Sequence, residues 1–386
     1  MISQFVSPLK VSEGTQYLTF EPDAGGWNNI RMAMETVFAL AVAMGRTLVL
    51  PPEKGMYLLG KDTGKHGKQR DTFSFSHFFH TEAIHEEHVG LDIITMKEFL
   101  ETVAMPGHLV NRKTGATTYP PGKITEWDGR TDLSRLFEWL RDVTLVPLWS
   151  PEVCTGLFPS SSDPAALEEL QTMGEKVKAL KPKWEHYQGK PVPIDAPPIE
   201  RLKENWAERN DVCVYDKSMQ SAPVVHFAVD NKRQLRLLVH FYAFVWFQNY
   251  KHDLWLKRFI RDHVRYMDEI QCAAARVVHA VRKRSGGVFD AFHVRRGDFQ
   301  YKKTRVSAEV LLEMAQRKIP DNTTLYFSTD ERNKSFFDPL KKHYDVVFLD
   351  DFHDEALVGI NTNYYGMIDQ LVATRSRTFF GCWFST

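Results

Sequence analysis

The sequence lacks the features that would assign it to several common classes of protein. No apolar run approaches the roughly 20 residues of a membrane helix, so we expect no membrane span in the chain. Residues 1–10 contain no apolar segment of the kind found in signal peptides. The 49 basic and 49 acidic residues cancel, which leaves no overall positive field, so no nucleic-acid partner is expected.

Motifs of several large enzyme families are also missing. The chain has no Gly-x-x-x-x-Gly-Lys-Ser/Thr loop, no Gly-x-Gly-x-x-Gly and no Gly-x-Ser-x-Gly. These absences exclude the P-loop, the dinucleotide fingerprint and the serine nucleophile elbow. There is no Asp-x-Asp either, which is the two-carboxylate metal clamp of many nucleotide-sugar enzymes. We therefore predict no catalytic metal ion and no cofactor.

Metal-binding patterns are equally sparse. The 4 cysteines are widely spaced and form no Cys-x-x-Cys pair, and the sequence does not determine how they pair. His85-Glu86-Glu87-His88 resembles a zinc signature, but its second histidine comes one residue too early for His-Glu-x-x-His. We interpret this tetrapeptide as an exposed helix end.

The overall composition is that of an ordinary globular protein. Hydrophobic residues make up 43% of the chain and charged residues 25%. A length of 386 residues favours two domains, since domains commonly have about 150 residues. We place them at residues 1–215 and 216–386.

The first domain opens with a strand, a glycine turn, a helix and a second strand. Residues 16–20 have strand composition, residues 22–29 form the turn, and residues 30–44 have the apolar periodicity of a helix. Gly45 ends that helix, and residues 46–50 form the next strand before a Pro-Pro pair. This order is the nucleotide-binding arrangement of doubly wound folds.

The second half alternates helices with strands more regularly. We predict helices over 233–250, 258–284, 307–319, 334–342 and 364–374, and strands over 289–294, 324–328, 345–349 and 378–383. Ser307 is expected to cap its helix. Such alternation indicates a parallel sheet covered on both faces. The predicted fold class is therefore α/β, with two Rossmann-like doubly wound domains that face a cleft.

At residues 289–299, a predicted apolar strand is followed directly by charged residues. Ligands of open α/β sheets bind where parallel strands stop, and arginine offers a planar fork that matches phosphate oxygens. Because side chains alternate along a strand, Arg295 shares a face with His293, and Arg296 points to the other face. One arginine is then expected to face a ligand while its neighbour braces the loop. The alternative is a surface Arg-Arg-Gly-Asp turn.

Two further strand ends carry small hydroxyls and a carboxylate, at residues 328–330 and 381–386. Arginine with serine and threonine hydroxyls suits a pyrophosphate, and aspartate suits ribose hydroxyls or guanine N–H donors. Taken alone, Ser328-Thr329-Asp330 is better explained as a helix N-cap than as a ligand site. Together with the arginines, the three strand ends predict a nucleotide site.

These segments resemble one known family. Gly25-Gly26-Trp27-Asn28-Asn29, followed by a helix and Gly45-Arg46-Thr47-Leu48, resembles the opening of GDP-fucose protein O-fucosyltransferases. His293-Val294-Arg295-Arg296-Gly297-Asp298 is similar to the His-x-Arg-Arg-x-Asp motif of fucosyltransferases. The segment from Asp369 to Ser385 and Thr386 resembles their third motif. The resemblance covers residues 16–52 and 258–386 and does not extend to residues 53–210.

The resemblance implies a role for each matching residue. Arg295 would contact the β-phosphate and stabilise departing GDP, and Asn28 or Asn29 would lie near the transferred sugar or the acceptor hydroxyl. His293 and Asp298 would support the guanosine, and Ser385 and Thr386 the phosphates. The complete set of implied donor-binding residues is Gly25, Gly26, Trp27, His293, Arg296, Asp298, Thr329, Asp330, Asp369, Ser385 and Thr386.

The resemblance also implies a GT-B-like fold and a reaction. GDP-fucose would bind in the cleft and pass fucose, with inversion and without a metal ion, to a protein or glycan acceptor in the ER or Golgi lumen. Two departures from the family stand out. Gly25 occupies the position of a glutamate that is a candidate base in one branch, and the chain stops at Thr386 where the family continues into a helix. Asp23 is the alternative base.

Two other functions remain open at this point. One is a glycosyltransferase of the same architecture that uses a different nucleotide sugar. The other is a non-catalytic protein that binds a nucleotide sugar. Comparing the binding of several nucleotide sugars distinguishes a fucosyltransferase from another glycosyltransferase. Hydrolysis of the donor distinguishes an enzyme from a non-catalytic binding protein.

Overall fold

A computed structural model describes most of the chain and divides it into two compact units. The described residues are 5–23, 25–55, 59, 61–62, 68–69, 72–88, 90–111, 114–115, 133–184, 191–206, 209, 211–230, 232–233, 235–297 and 305–381. The first unit spans Met1–Arg265 and the second Tyr266–Thr386. The boundary that we placed after residue 215 falls inside the first unit. Residues 224–227 belong there because they pair in parallel with residues 17–20 of the first strand.

Short parallel strands dominate both units. The strands are Tyr17–Phe20 (β1), Thr47–Leu50 (β2), Lys54–Gly55 (β3), Lys61–Asp62 (β4), Lys68–Gln69 (β5), Thr72–Phe73 (β6), Ile93–Thr95 (β7), Cys154–Phe158 (β8), Asp211–Val214 (β9), Val224–Phe227 (β10), Val245–Phe247 (β11), Asp290–Val294 (β12), Thr324–Thr329 (β13), Asp345–Phe348 (β14) and Phe379–Phe380 (β15). Only the pairs β3–β6 and β4–β5 are antiparallel among the ladders described.

Helices alternate with these strands. The α-helices are Trp27–Met44 (α1), Thr81–Glu87 (α2), Met96–Phe99 (α3), Leu133–Val143 (α4), Pro164–Trp184 (α5), Pro198–Trp206 (α6), Lys217–Ser221 (α7), Phe241–Phe244 (α8), Tyr250–His263 (α9), Asp268–Ser285 (α10), Ala308–Gln316 (α11), Asp338–Lys341 (α12) and Tyr365–Ala373 (α13). Short 3₁₀ or π turns occur at Phe75–His77, Leu100–Ala104, Lys334–Phe337, Leu349–Phe352, His353–Leu357 and Thr362–Tyr364. None of the helices described is long and apolar enough to cross a bilayer.

The main sheet of the first unit has the strand order β10-β1-β2-β7 and is parallel throughout. Helix α1 joins β1 to β2 and is buried along most of its length, which explains its continuous apolar sequence. Gly45 ends the helix with a φ of 66°, and a Cβ atom there would lie 2.7 Å from the Lys10 backbone. Glycine is therefore required at this position.

A second parallel sheet in the first unit has the order β11-β8-β9. A disulfide between Cys154 and Cys213 joins its neighbouring strands β8 and β9. Cys272 is a free, exposed cysteine. The sequence left this pairing undetermined, and the strand register explains it, since Cys213 lies opposite Gly156, close to Cys154 along β8.

The second unit is a four-stranded parallel sheet with the order β14-β13-β12-β15. Alternate residues of β12 and β13, including Phe292 and Phe327, pack against α11 and α12 on one face. Tyr326 points to the other face, where its hydroxyl donates to Asp369 of α13. Helices thus cover both faces, and the predicted parallel α/β class is confirmed.

Two of the predicted helices are wrong. Residues 233–250 form only the single turn α8 followed by strand β11, because Val245, Trp246 and Phe247 pair with β8. The helix predicted over 258–284 is two helices, since the backbone leaves the helical region at Val264 and α10 begins after Met267. The acidic Asp268 and Glu269 favour a new helix start there.

Candidate active site

The carboxyl end of β12 brings the arginine motif to the edge of the second sheet. Phe292 and Val294 anchor the strand in the apolar core with α11. At its other end, buried Asp290 accepts from Nε and Nη2 of Arg377 at 3.1 and 2.6 Å. The strand is therefore held at both ends, and the residues after Val294 emerge at a fixed position.

Arg296 is the bracing arginine. Its Nε donates to Glu331 at 2.9 Å and its Nη1 to the Val306 carbonyl at 2.7 Å, and the guanidinium lies 3.9 Å from the Phe336 ring centroid. These contacts tie the loop after β12 to the segments after β13 and before α11. The structure thus places Arg296 in supporting contacts, as the alternation of strand side chains indicated.

Arg295 forms an ion pair with Asp330, with 3.2 Å between Nε and Oδ2. Both side chains are half-buried, at 31% exposure, and the Nε atom of Arg295 is itself buried, so its contact with Asp330 is an ion pair without hydrogen-bond geometry. The other oxygen of Asp330 accepts the backbone N–H of Arg296 at 2.7 Å. A Cβ atom on Gly297 would lie 2.7 Å from Asp330 Oδ2, so glycine leaves room for this carboxylate.

His293 and Thr329 line the same edge. Burial lowers the pKa of His293, and the positive charge of Arg295 lowers it further, so this imidazole is neutral near pH 7. Thr329 donates its hydroxyl to the Val294 carbonyl at 2.7 Å and accepts the N–H of Glu331 at 3.0 Å. Thr329 therefore joins the ends of β12 and β13.

Asp369 lies on α13 beside the end of β13. Its carboxylate accepts hydrogen bonds from the hydroxyls of Tyr326 and Ser328. Burial raises the pKa of Asp369 to about 7, which the two hydrogen bonds only partly offset. A carboxyl that titrates near neutral pH is a common feature of functional sites.

At the carboxyl edge of the first unit's main sheet, the glycine turn leads directly into α1. Asn28 and Asn29 lie in the first turn of this helix, which begins at Trp27, three residues earlier than predicted. Gly26 is the N-cap residue. A Cβ atom on Gly25 would lie 2.6 Å from Asn29 Nδ2, so no larger residue fits at position 25 without moving Asn29.

Trp27 is packed against an aromatic cluster. Its ring centroid lies 4.2 Å from that of Phe78 and 6.0 Å from that of Phe79, and both phenylalanines are buried. These contacts hold the start of α1 against the segment that precedes α2.

Two acidic residues, Glu21 and Asp23, follow β1, and each forms an ion pair with an arginine. Asp23 is buried, accepts from Nε and Nη2 of Arg236 at 2.8 Å each, and accepts the Gly25 N–H at 2.8 Å. The last contact is the local cap expected of an aspartate in a turn. Both carboxylate oxygens of Asp23 are therefore occupied.

A buried network around Glu21 was missed by the sequence analysis. Glu21 accepts two hydrogen bonds of 2.7 Å from Arg141 and contacts His226 Nε2 at 3.1 Å. Burial raises the pKa of Glu21, but the hydrogen bonds from His226 and Arg141 outweigh it and hold the pKa below its ordinary value. No local pattern identifies this network, since Arg141 is 120 residues away in the chain.

Three of the predicted site residues, Asp298, Ser385 and Thr386, lie outside the described residues. The structure brings the other predicted residues of the second unit to one sheet edge: Arg295, Arg296 and His293 from the β12 end, Thr329 and Asp330 from the β13 end, and Asp369 from α13. It brings those of the first unit, residues 25–29, to the start of α1.

Comparison with known families assigns the chain. The family model described as GDP-fucose protein O-fucosyltransferase matches residues 17–386. The chain belongs to this family, and it is a glycosyltransferase of the GDP-fucose-dependent class. This confirms the family and the enzyme class that the sequence motifs indicated.

Solved structures with detectable similarity are distant. The fucosyltransferase NodZ from Bradyrhizobium is 13% identical with a TM-score of 0.41, covering 95% of this chain and 88% of that one. POFUT1 in complex with GDP-fucose is 14% identical with a TM-score of 0.39, covering 97% of this chain and 100% of that one. A comparison with curated proteins finds no match.

Proposed function

We propose that the protein transfers L-fucose from GDP-fucose to a hydroxyl of a protein or glycan acceptor, with inversion at the anomeric carbon and without a metal ion or other cofactor. The observation that carries this proposal is the arrangement of Arg295 and Arg296 at the end of β12. Arg296 braces the loop through Glu331, and Arg295 lies half-buried at the strand edge in an ion pair with Asp330.

Arg295 has the position and chemistry to neutralise the departing diphosphate. A cation aimed at developing negative charge contributes most when it is held in place before the reaction. Asp330 supplies that support, because Arg296 N–H fixes one of its oxygens while the other faces Arg295. The sequence has no Asp-x-Asp, and we therefore assign the neutralising charge to the arginine instead of a metal ion.

The guanosine part of the donor is assigned to the neighbouring side chains of the same edge. An ionised Asp369 accepts hydrogen bonds and suits guanine N–H donors, and neutral His293 offers one donor and one acceptor. We extend this assignment to Thr329 and to Asp298, Ser385 and Thr386, which complete the motifs in the sequence.

We assign the acceptor hydroxyl to Asn28 and Asn29 and assign no carboxylate as general base. Both oxygens of Asp23 are engaged by Arg236, and Glu21 has a lowered pKa, which makes it a weak base. The reaction is then driven by departure of GDP through an oxocarbenium-like transition state, and the acceptor loses its proton late, to a β-phosphate oxygen.

Donor specificity is tested by binding and by transfer. GDP-fucose, GDP-mannose and UDP-sugars are added separately to the purified chain, and the melting temperature is followed. The proposal expects a shift with GDP-fucose above that with the other sugars, and NMR of the product showing an inverted linkage. A larger shift with another sugar identifies a different glycosyltransferase, and binding without transfer or donor hydrolysis identifies a non-catalytic protein.

We further propose that the protein works in the ER or Golgi lumen. The disulfide between Cys154 and Cys213 supports this, because disulfides persist in oxidising compartments and are rare in the cytosol. Protein isolated from its native cells with thiols blocked is expected to keep this bond. Complete alkylation of both cysteines would place the protein in a reducing compartment.

A further inference from the structure

A cluster of two histidines and a glutamate lies at the ends of two helices of the first unit. Glu87 is the last residue of α2, His88 follows as its C-cap, and His263 is the last residue of α9. His88 precedes β7 closely, so the cluster lies near the amino end of that strand. The proposed catalytic residues lie at the carboxyl ends of the strands instead.

His88 is buried with an unsatisfied ring nitrogen. The residue is only 8% exposed, and its Nε2 atom has no hydrogen-bond partner among the described residues. The ring packs edge-on against Phe259, with 4.8 Å between centroids. A buried polar atom without a partner destabilises the fold, so its presence in a packed site calls for an explanation. The interpretation of this segment as an exposed helix end is therefore wrong for His88.

The distances within the cluster fit a metal ion. Nδ1 of His263 lies 3.3 Å from Oε2 of Glu87, and the rings of His88 and His263 have centroids 3.9 Å apart. One ligand atom from each of the three residues lies within 4.8 Å of the others. Zinc bonds of about 2.0–2.2 Å place tetrahedral ligands about 3.3–3.6 Å apart, so small side-chain rotations complete the geometry.

The electrostatics of the cluster also favour a cation. The carbonyl ends of α2 and α9 converge on it, and the carboxyl end of a helix carries partial negative charge. A plain ion pair accounts for Glu87 and His263 but leaves His88 Nε2 unpaired.

We propose that Glu87, His88 and His263 bind a divalent transition-metal ion, with Zn²⁺ as the best fit and water as the fourth ligand. Two imidazoles and a carboxylate form a ligand set that zinc accepts. The ion joins the ends of α2 and α9 and stabilises the first unit, and it takes no part in fucose transfer. The side chain of His85 lies outside the described residues. The inference is independent of the donor assignment.

Metal content of the full chain tests the proposal. The protein is stripped with a chelator, dialysed against Zn²⁺ and then against metal-free buffer, and its zinc is measured by mass spectrometry. One zinc per chain is expected, with a higher melting temperature than the stripped protein. Co²⁺ in place of Zn²⁺ is expected to give the visible absorption of a tetrahedral site.

Variants of partly exposed ligands separate this site from adventitious binding. His263→Gln and Glu87→Gln are expected to fold and to lose about tenfold or more in zinc affinity. The matched control is His343→Gln, which removes a surface histidine paired with Asp321 at 3.7 Å. Cys272→Ser controls for the exposed thiol. Both controls are expected to keep one zinc.

Two results would overturn the proposal. One is a stripped and reloaded wild-type protein that holds well under one zinc per chain. The other is a His263→Gln variant that binds zinc as tightly as the His343→Gln control. Buried His88 is left unchanged in these variants, so a loss of folding does not obscure the outcome.

Discussion

The Nε atom of Arg295 lies 3.2 Å from Oδ2 of Asp330, and the other oxygen of that carboxylate is held at 2.7 Å by the backbone N–H of Arg296. The second arginine of the motif therefore fixes the partner of the first. We therefore expect Asp330 to act as a positioning residue for the proposed catalytic cation.

Substitution of Gly297 tests this dependence without removing a charge. In Gly297→Ala, the new Cβ atom would lie 2.7 Å from Asp330 Oδ2 and displace the carboxylate from Arg295. We expect kcat to fall about tenfold or more, since small misplacements near the reacting centre cost rate. Steady-state kinetics with GDP-fucose measure the effect. Gly359→Ala adds a Cβ atom to open space but strains a backbone with a φ of 79°, so it controls for destabilisation that does not involve Asp330. A normal kcat in Gly297→Ala would show that Asp330 does not position Arg295.

The absence of a carboxylate base is tested by comparing Asp23 with Asn29. Asp23→Asn keeps an acceptor for the Gly25 N–H but weakens the pair with Arg236, so we expect a lower melting temperature and a nearly normal kcat. Asn29→Ala is expected to lower kcat more than it raises the KM for GDP-fucose. Loss of transfer in a folded Asp23→Asn variant that still binds GDP-fucose would identify Asp23 as the base.

Donor binding is expected to weaken as the pH falls through 7. Burial raises the pKa of Asp369 to about 7, so this carboxyl becomes protonated below that pH and loses its capacity to accept two guanine donors. The KM for GDP-fucose should therefore rise between pH 7 and 6. The pKa of His293 is lowered, so its titration falls at lower pH. The KM for GDP-fucose is measured against pH for wild type and for Asp369→Asn. The variant should have a higher KM that does not change with pH. A flat wild-type profile would remove Asp369 from donor binding.

Chelation separates catalysis from the proposed zinc site. In excess EDTA we expect transfer at close to the full rate, because Arg295 takes the role of the metal at the diphosphate. The melting temperature should fall in the same buffer, because binding of an ion to the folded state stabilises it. Activity that is lost in EDTA and restored by manganese or magnesium would replace the arginine mechanism with a metal-assisted one.

Local patterns in the sequence predict much of the second unit. Strands β12, β13 and β14 are short apolar runs between turn signals, and Ser307 caps α11 by accepting the Val310 N–H, as expected. The helix predicted across the aromatic run at residues 241–247 is wrong because short apolar runs fit a buried helix and a buried strand equally well. Pairing with β8, which the sequence does not reveal, decides in favour of a strand there.

The candidate site, like the fold, is predicted from the sequence only in part. The sequence predicts Arg295 and Arg296 as site residues because they follow a strand directly, and the supporting contacts of Arg296 agree with the alternation of side chains. The partners of the acidic residues were not predicted, because contacts across long stretches of chain leave no local pattern. Asp23 and Arg236 are 213 residues apart, and the cluster at His88 needs His263 from another helix.

Removal of Arg295 tests the central claim most directly. Transfer of fucose from GDP-fucose is measured for wild type, Arg295→Ala and Arg295→Lys, with Arg317→Ala as a control at an exposed arginine on α11's carboxyl side. The account predicts a loss of about 10²–10³ in kcat for Arg295→Ala in a folded protein, and poor rescue by lysine, which lacks the planar fork. Near-normal turnover in Arg295→Ala would contradict the account.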